Sequence, residues 1–204
     1  MKTQTNDRRV RRTRLLLHEA LISLIIEKPY QSITVQDILD RADVGRSTFY
    51  SHFQDKDDLF RYGFELMLDA LTRHMDASNH TSGPPTPALP ILELFQHIQE
   101  NNRLYKALIG GQGLELMFEY GQQALSERIE RHLETQVQNR GEISIPLPVL
   151  STYLAGTLIT LLQWWLDKHM PYSPEQMDAI YRQLALPGVM EVIRPIHSSP
   201  ERGF

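Results

Sequence analysis

Residues 34–59 read Thr-Val-Gln-Asp-Ile-Leu-Asp-Arg-Ala-Asp-Val-Gly-Arg-Ser-Thr-Phe-Tyr-Ser-His-Phe-Gln-Asp-Lys-Asp-Asp-Leu, and their spacing sets the architecture around them. Thr34 stands where an N-cap belongs, and Asp37, three residues on, brings a negative charge to the first turn. A short helix over Val35–Ala42 follows, with Val35, Ile38 and Leu39 on its buried side. Asp43–Gly45 makes a tight turn, and a second short helix covers roughly Arg46–Phe53. Val44 and Phe53 lie nine apart with Phe49 between them, which anchors one face to a core. Arg46, Ser47, Thr48, Tyr50 and His52 are left on the other. Small or hydrogen-bonding side chains near the axis suit a helix that enters a DNA major groove. The layout also fits an ordinary amphipathic helix, so the pattern alone leaves both readings open.

Outward from this stretch the chain stays helical. Upstream, a helix from about Arg8 to Lys28 buries Leu17, Ala20, Leu21, Leu24 and Ile25, and Pro29 ends it. One long helix bracing two short ones is a helix-turn-helix head. Downstream, Asp55 caps a helix from Lys56 to about Asp76, whose inward residues are Leu59, Phe60, Phe64, Met67, Leu68 and Leu71. Breaks fall at residues 77–90, which hold four prolines, at Asn139–Pro148 and at Met170–Pro174. Apolar residues between the breaks recur at three and four, and Glu142–Pro148 is too short and proline-bearing for a strand. The fold class expected is all-α, with a three-helix head at residues 1–56 and a helical body at residues 57–204.

Charge divides along the same line. Residues 1–56 carry ten Lys and Arg against seven Asp and Glu, a net of +3, whereas residues 57–204 carry eleven against eighteen, a net of −7. A basic part joined to an acidic part points to a polyanion as the basic part's partner, although six of the ten bases lie in residues 1–14 and also suit a solvated tail. With 41% hydrophobic and 23% charged residues the chain can bury a core unaided. The absence of cysteine excludes disulfides, thiolate metal sites and cysteine catalysis. The amino end is polar and basic, without an apolar core behind a cleavage site, so a cytoplasmic protein is expected.

Residues 34–59 resemble the DNA-binding signature of the TetR/AcrR family of bacterial transcriptional regulators. Thr34-Val35 and Ile38 open the first short helix as in that family, Ala42 and Val44 lead to Thr48-Phe49-Tyr50 and His52-Phe53, and Lys56 and Leu59 follow. The resemblance runs from Arg12 to Leu59. It implies that Thr34, Tyr50, His52 and Lys56 hold phosphates and that Arg46, Ser47 and Thr48 face base edges. It further implies a homodimer on a palindromic double-stranded operator, more often a repressor, released by a small-molecule effector. This chain departs from the family at Asp43, where glycine is common, at Gly45, where serine is common, and at Lys28-Pro29. Asp43 has the wrong charge for DNA and is expected to point away from it.

For the body, the resemblance implies effector sensing and dimerisation. Met67, Phe95, Ile98, Tyr105, Met117, Phe118, Tyr153 and Trp164 are the candidate effector-pocket residues, with Leu104 and Leu108 beside them, although for any one of them an ordinary core position is the plainer reading. A weaker likeness to the tail of one subgroup of the family runs through Tyr153-Leu-Ala-Gly, Trp165-Leu and Ser173-Pro-Glu. Val149–Leu166 is eighteen residues without a charge, but five are Ser, Thr or Gln and no second span accompanies it, so burial rather than membrane insertion is expected. Trp164 and Trp165 are about 100° apart around a helix, so one faces the subunit core and the other the partner copy. The amphipathic stretch Pro174–Leu186, with Met177, Ile180, Tyr181 and Leu184, completes the expected dimer surface.

No catalysis, metal or cofactor is expected. Gly110-Gly-Gln-Gly113 has neither a strand before it nor Lys-Ser/Thr after it, and reads as a helix break. The eight histidines show no metal-ligand spacing, beyond a chance meeting of His74 and His97, and no Gly-x-Ser-x-Gly elbow exists. The competing reading is a helical interaction or enzymatic module whose helix-turn-helix is vestigial.

Overall fold

The computed structural model describes residues 2–78, 90–109, 111–137 and 144–193, and these form an all-helical chain. The head is α1 (Lys2–Glu27), a 3-10 turn (Tyr30–Ser32), α2 (Val35–Ala42) and α3 (Arg46–Tyr50). The body is α4 (Lys56–Ser78), α5 (Ile91–Glu100), α6 (Asn102–Leu108), α7 (Gln112–Val137), α8 (Leu147–Asp167) and α9 (Pro174–Ile193). Of the break expected at residues 77–90, Ala77 and Ser78 belong to α4 and residues 79–89 lie outside the described residues, as do residues 138–143, Gly110 and the His74 side chain.

Local chemistry explains the head. Pro29 follows α1 and begins the 3-10 turn. Thr34 forms a full capping box: its hydroxyl accepts from the Asp37 backbone N–H at 3.2 Å, and the Asp37 carboxylate accepts from the Thr34 N–H at 2.7 Å. Lys28 reaches the same carboxylate at 2.9 Å, which ties the end of α1 to the start of α2. The Lys28 ammonium, contributing most, then the Thr34 hydroxyl and the Thr34 N–H hold the Asp37 carboxyl well below the usual carboxylate range. Arg41 makes a second tie, bidentate to Glu27 of α1 at 2.6 and 2.9 Å. Asp43 closes α2 in the left-handed region, at φ 51°, while Val44 N–H donates to the Leu39 carbonyl. Glycine is preferred there because it has no Cβ to crowd the carbonyl; aspartate is among the few residues that tolerate the position.

Helix α3 is shorter than its pattern implied. It ends as an α-helix at Tyr50, and residues 51–53 continue as a turn in which Phe53 N–H still donates to the Phe49 carbonyl. Phe49, completely buried, packs on Phe53 with ring centroids 5.9 Å apart, and Ile38, Leu17 and Leu21 are buried in the same core.

In the body, α7 lies along α8, and α9 packs on α5 and α8. A Cβ on Gly121 of α7 would meet Phe64 of α4 at 3.0 Å and Ile159 of α8 at 3.3 Å, so this glycine sets how closely the three helices approach. Arg128 of α7 clamps α4 through Glu65 at 2.7 Å and Asp69 at 2.6 Å. Helix α8 is long and apolar enough to cross a membrane by length and composition, yet Leu150, Leu154, Leu158, Leu162 and Trp165 are buried within the protein. Trp165 packs edge-on against Phe95 and donates from Nε1 to the Tyr172 carbonyl at 2.9 Å. Trp164 points outward, 41% exposed and stacked on Tyr172.

Candidate nucleic-acid interface and internal cavity

Anchoring Phe49 in the core turns the opposite side of α3 to solvent. Arg46, Ser47 and Tyr50 are exposed there, and Thr48 and His52 are half-buried beside them. The Arg46 guanidinium stands 5.5 Å over the Tyr50 ring, and that ring rests edge-on against Phe49. These contacts pre-orient the two longest side chains of the helix.

Thr34 and Lys56 are placed differently from the other five predicted contacts. The Thr34 hydroxyl is engaged in the capping box, donating to the Asp37 carboxylate at 2.7 Å. Lys56 Nζ donates to the carbonyls of Tyr30, Ile33 and Gln31 at 2.9, 3.0 and 3.4 Å, and lies 4.5 Å from the Tyr30 ring centroid. Burial pulls its pKa down, partly offset by the neighbouring Asp57. Lys56 thus ties the start of α4 to the 3-10 turn, and the phosphate role that the resemblance implies for it competes with these three carbonyls. Lys56→Met should consequently lower the stability of the protein by about 1.5–3 kcal/mol, the range for hydrogen bonds to a charged group. Urea unfolding checks this, and a variant as stable as the parent would favour the phosphate role.

Sequence reasoning missed Arg14. Its guanidinium is stacked 4.1 Å over Tyr62 and 5.1 Å over Phe53, and its Nε is buried without a hydrogen-bond partner among the described residues. It thus stands anchored beside the end of the α3 turn, and its place in the basic run of α1 was the only sequence signal for it.

The predicted pocket residues separate into four groups. Met67, Tyr105 and Met117 line a cavity of about 350 Å³ bounded by α1, α4, α5, α6 and α7. Ile98 and Phe118 line only a narrow void deeper in the body, which shares Phe64, Met67, Tyr105 and Met117 with the larger cavity. Phe95 lines neither and is buried against Trp165. Tyr153 and Trp164 line neither: they are 50% and 41% exposed on the outer face of α8, because Leu150, Leu154 and Trp165 hold the inner one.

Two histidines in the larger cavity carried no sequence-based assignment to it: His18 of α1 and His97 of α5. Burial lowers the pKa of both, against small opposing contributions from Glu19 and Glu100. A Cβ on Gly63 of α4 would overlap the His18 ring, so glycine is what lets that ring lie over α4. Leu15, His18 and Ile22 form a second stripe on α1 beside the Leu17–Leu21–Leu24 stripe. Two stripes on one helix were the available signal that α1 is covered on two sides.

Residues 17–62 match the family model for bacterial regulatory proteins of the tetR family, and residues 86–186 match that for a transcriptional regulator C-terminal region. The HTH-type transcriptional regulator YxbF of Bacillus subtilis (strain 168) is 26% identical over 184 residues, 89% of this chain and 47% of the relative, so the chain spans about half the length of that curated relative. Among solved structures, a TetR transcriptional regulator from Streptococcus agalactiae 2603V is similar at a TM-score of 0.59 and 24% identity, covering 90% of this chain and 98% of that one. RolR, solved in complex with resorcinol, is similar at a TM-score of 0.53 and 19% identity, covering 87% and 89%. At these identities the structural likeness shows the shared fold.

Proposed function

This chain belongs to the TetR family of transcriptional regulators, and we propose that it is a cytoplasmic, homodimeric repressor that binds a palindromic DNA operator and releases it on binding a small molecule. Residues 1–56 are the DNA-binding domain and residues 57–204 the effector-binding and dimerisation domain, with no catalytic role for either. The observation that supports this most is the exposed face of α3, with Arg46, Ser47 and Tyr50 turned outward while Phe49 is completely buried. Arg46, Ser47 and Thr48 read base edges, and Thr34, Tyr50 and His52 contact phosphates. Arg14 adds a fixed cation near them, and Lys56 acts indirectly by holding the loop that leads to Thr34. The resorcinol complex of RolR, a protein of the same fold, is consistent with a small-molecule effector here.

Footprinting on the DNA that flanks its own gene tests the reading. A two-fold dimer should protect two half-sites whose centres lie about 34–36 Å, or a small multiple of that, apart. Protection of a single unsymmetrical half-site by a monomer would overturn it. Within that experiment Arg46→Ala should cost about 1–3 kcal/mol on the operator and relax base preference at one position. Tyr50→Phe should instead weaken operator and unrelated DNA alike. Equal weakening of all sequences by Arg46→Ala would remove that residue from the base-reading set.

A further inference from the structure

The 350 Å³ cavity has an unusual wall: one side of it is α1, the first helix of the head itself. Leu15, His18 and Ile22 face the cavity, while Leu17, Leu21 and Leu24 on the same helix are buried in core packing. Its chemistry is equally specific. No Lys, Arg, Asp or Glu is among its lining residues, which are mostly aliphatic, aromatic or thioether. The polar groups are four: the His18 and His97 imidazoles, the Asn101 amide and the Tyr105 hydroxyl. Asn101 is partly committed, donating to the His97 carbonyl at 2.8 Å. The Tyr105 hydroxyl has a thioether as its partner, Met67 Sδ at 3.4 Å, a weak acceptor that a ligand oxygen would readily replace.

We propose that this cavity binds an uncharged, mainly apolar small molecule carrying one hydrogen-bonding group, which Tyr105 and the His18–His97 pair engage, and that its occupancy acts on the DNA-binding head through α1. A volume near the lower end of the roughly 300–1,000 Å³ range of small-molecule sites favours a compact ligand. A carboxylate or an ammonium entering here would lose its hydration with no opposite formal charge to meet it, whereas an alcohol, phenol or amide loses far less. Neutral imidazoles, favoured by burial at both positions, can each donate and accept, and so suit a neutral polar group. A molecule seated between α1 and α4 touches the head directly, so its contacts bias the angle between head and body without an intermediate element. Only this second half of the proposal rests on the reading of the chain as a DNA-binding regulator.

The test uses the full chain and three probes with one ring frame: naphthylmethanol, naphthoate and naphthylmethylammonium. Calorimetry should show the alcohol binding at least about tenfold more tightly than either ion, a difference of about 1.4 kcal/mol. Equal or tighter binding of naphthoate or the ammonium would overturn the ligand class. Tyr105→Phe, which keeps the ring, should weaken the alcohol about tenfold. Ile22→Phe and, separately, Leu104→Phe should abolish binding by filling the space; retention of full affinity in a folded filled variant would place the site elsewhere. If both filled variants fail to fold, the probe series and Tyr105→Phe still decide. DNA binding is measured in the same samples. Unliganded protein that binds no DNA would sink the regulator reading and leave the cavity's selectivity standing. Alcohol binding that leaves DNA affinity unchanged would sink the coupling through α1.

Discussion

Replacing Trp164 and Leu184 together with glutamate is expected to leave a folded monomer that has lost its DNA affinity. Val149, Tyr153 and Trp164 on α8 and Leu184 on α9 are 55%, 50%, 41% and 62% exposed, among the largest apolar side chains the described residues turn to solvent. The three on α8 lie in a stretch that carries no charge from Val149 to Leu166. An uncharged apolar face of this size is what an isologous contact needs, because a two-fold axis presents the same patch from both copies. Full burial of such a side chain is worth roughly 1.5–3 kcal/mol, and symmetry counts each one twice. The double substitution therefore removes on the order of 6 kcal/mol and adds buried charge, a shift of about ten-thousandfold in the dimer constant. Neither side chain supports the subunit core, so the circular dichroism spectrum should stay that of the parent. Sedimentation reads the outcome, and a persistent dimer would put the interface on another face. Operator affinity should fall with it, since a lone half-site forfeits the second set of contacts.

Phe49→Ala should abolish binding to every DNA sequence while the body stays folded. Phe49 is completely buried, with Tyr50 5.3 Å and Phe53 5.9 Å away by ring centroids. Truncating a buried phenylalanine costs about 3–5 kcal/mol, comparable with the whole stability of a small domain. The exposed residues of α3 owe their direction to this anchor, so they lose their common face when it goes. Hydrogen exchange should accelerate in α2 and α3 and remain slow in α8, which packs mainly on α7 and α9. Operator affinity close to the parent's would show that the α3 face is organised by something else.

Much of the head was legible in the amino-acid order because its determinants are local. Thr34 and Asp37 stand three apart and form the capping box that the spacing implies. Pro29 stops α1, and Phe49 divides α3 into a buried and an exposed side. The uncharged run in α8 likewise announced a buried side, which Leu150, Leu154, Leu158 and Leu162 now form. Such features depend on neighbours within a few residues, where helical geometry is known beforehand.

What depended on distant parts of the chain was not legible. Lys56 carries a charge that resembles a phosphate ligand in any linear reading, yet the carbonyls that take it lie 23 to 26 residues earlier. Tyr153 and Trp164 have the composition of pocket residues, and only the packing of α7 and α9 against α8 turned them outward and Trp165 inward. The cavity draws on α1, α4, α5, α6 and α7 together, and its polar groups include His18 of α1 and His97 of α5. Periodicity states which face of a helix is apolar, but nothing in it names the helix that will cover that face. That choice is made by shape and volume when the helices pack, with a glycine such as Gly63 leaving room where a side chain would close it.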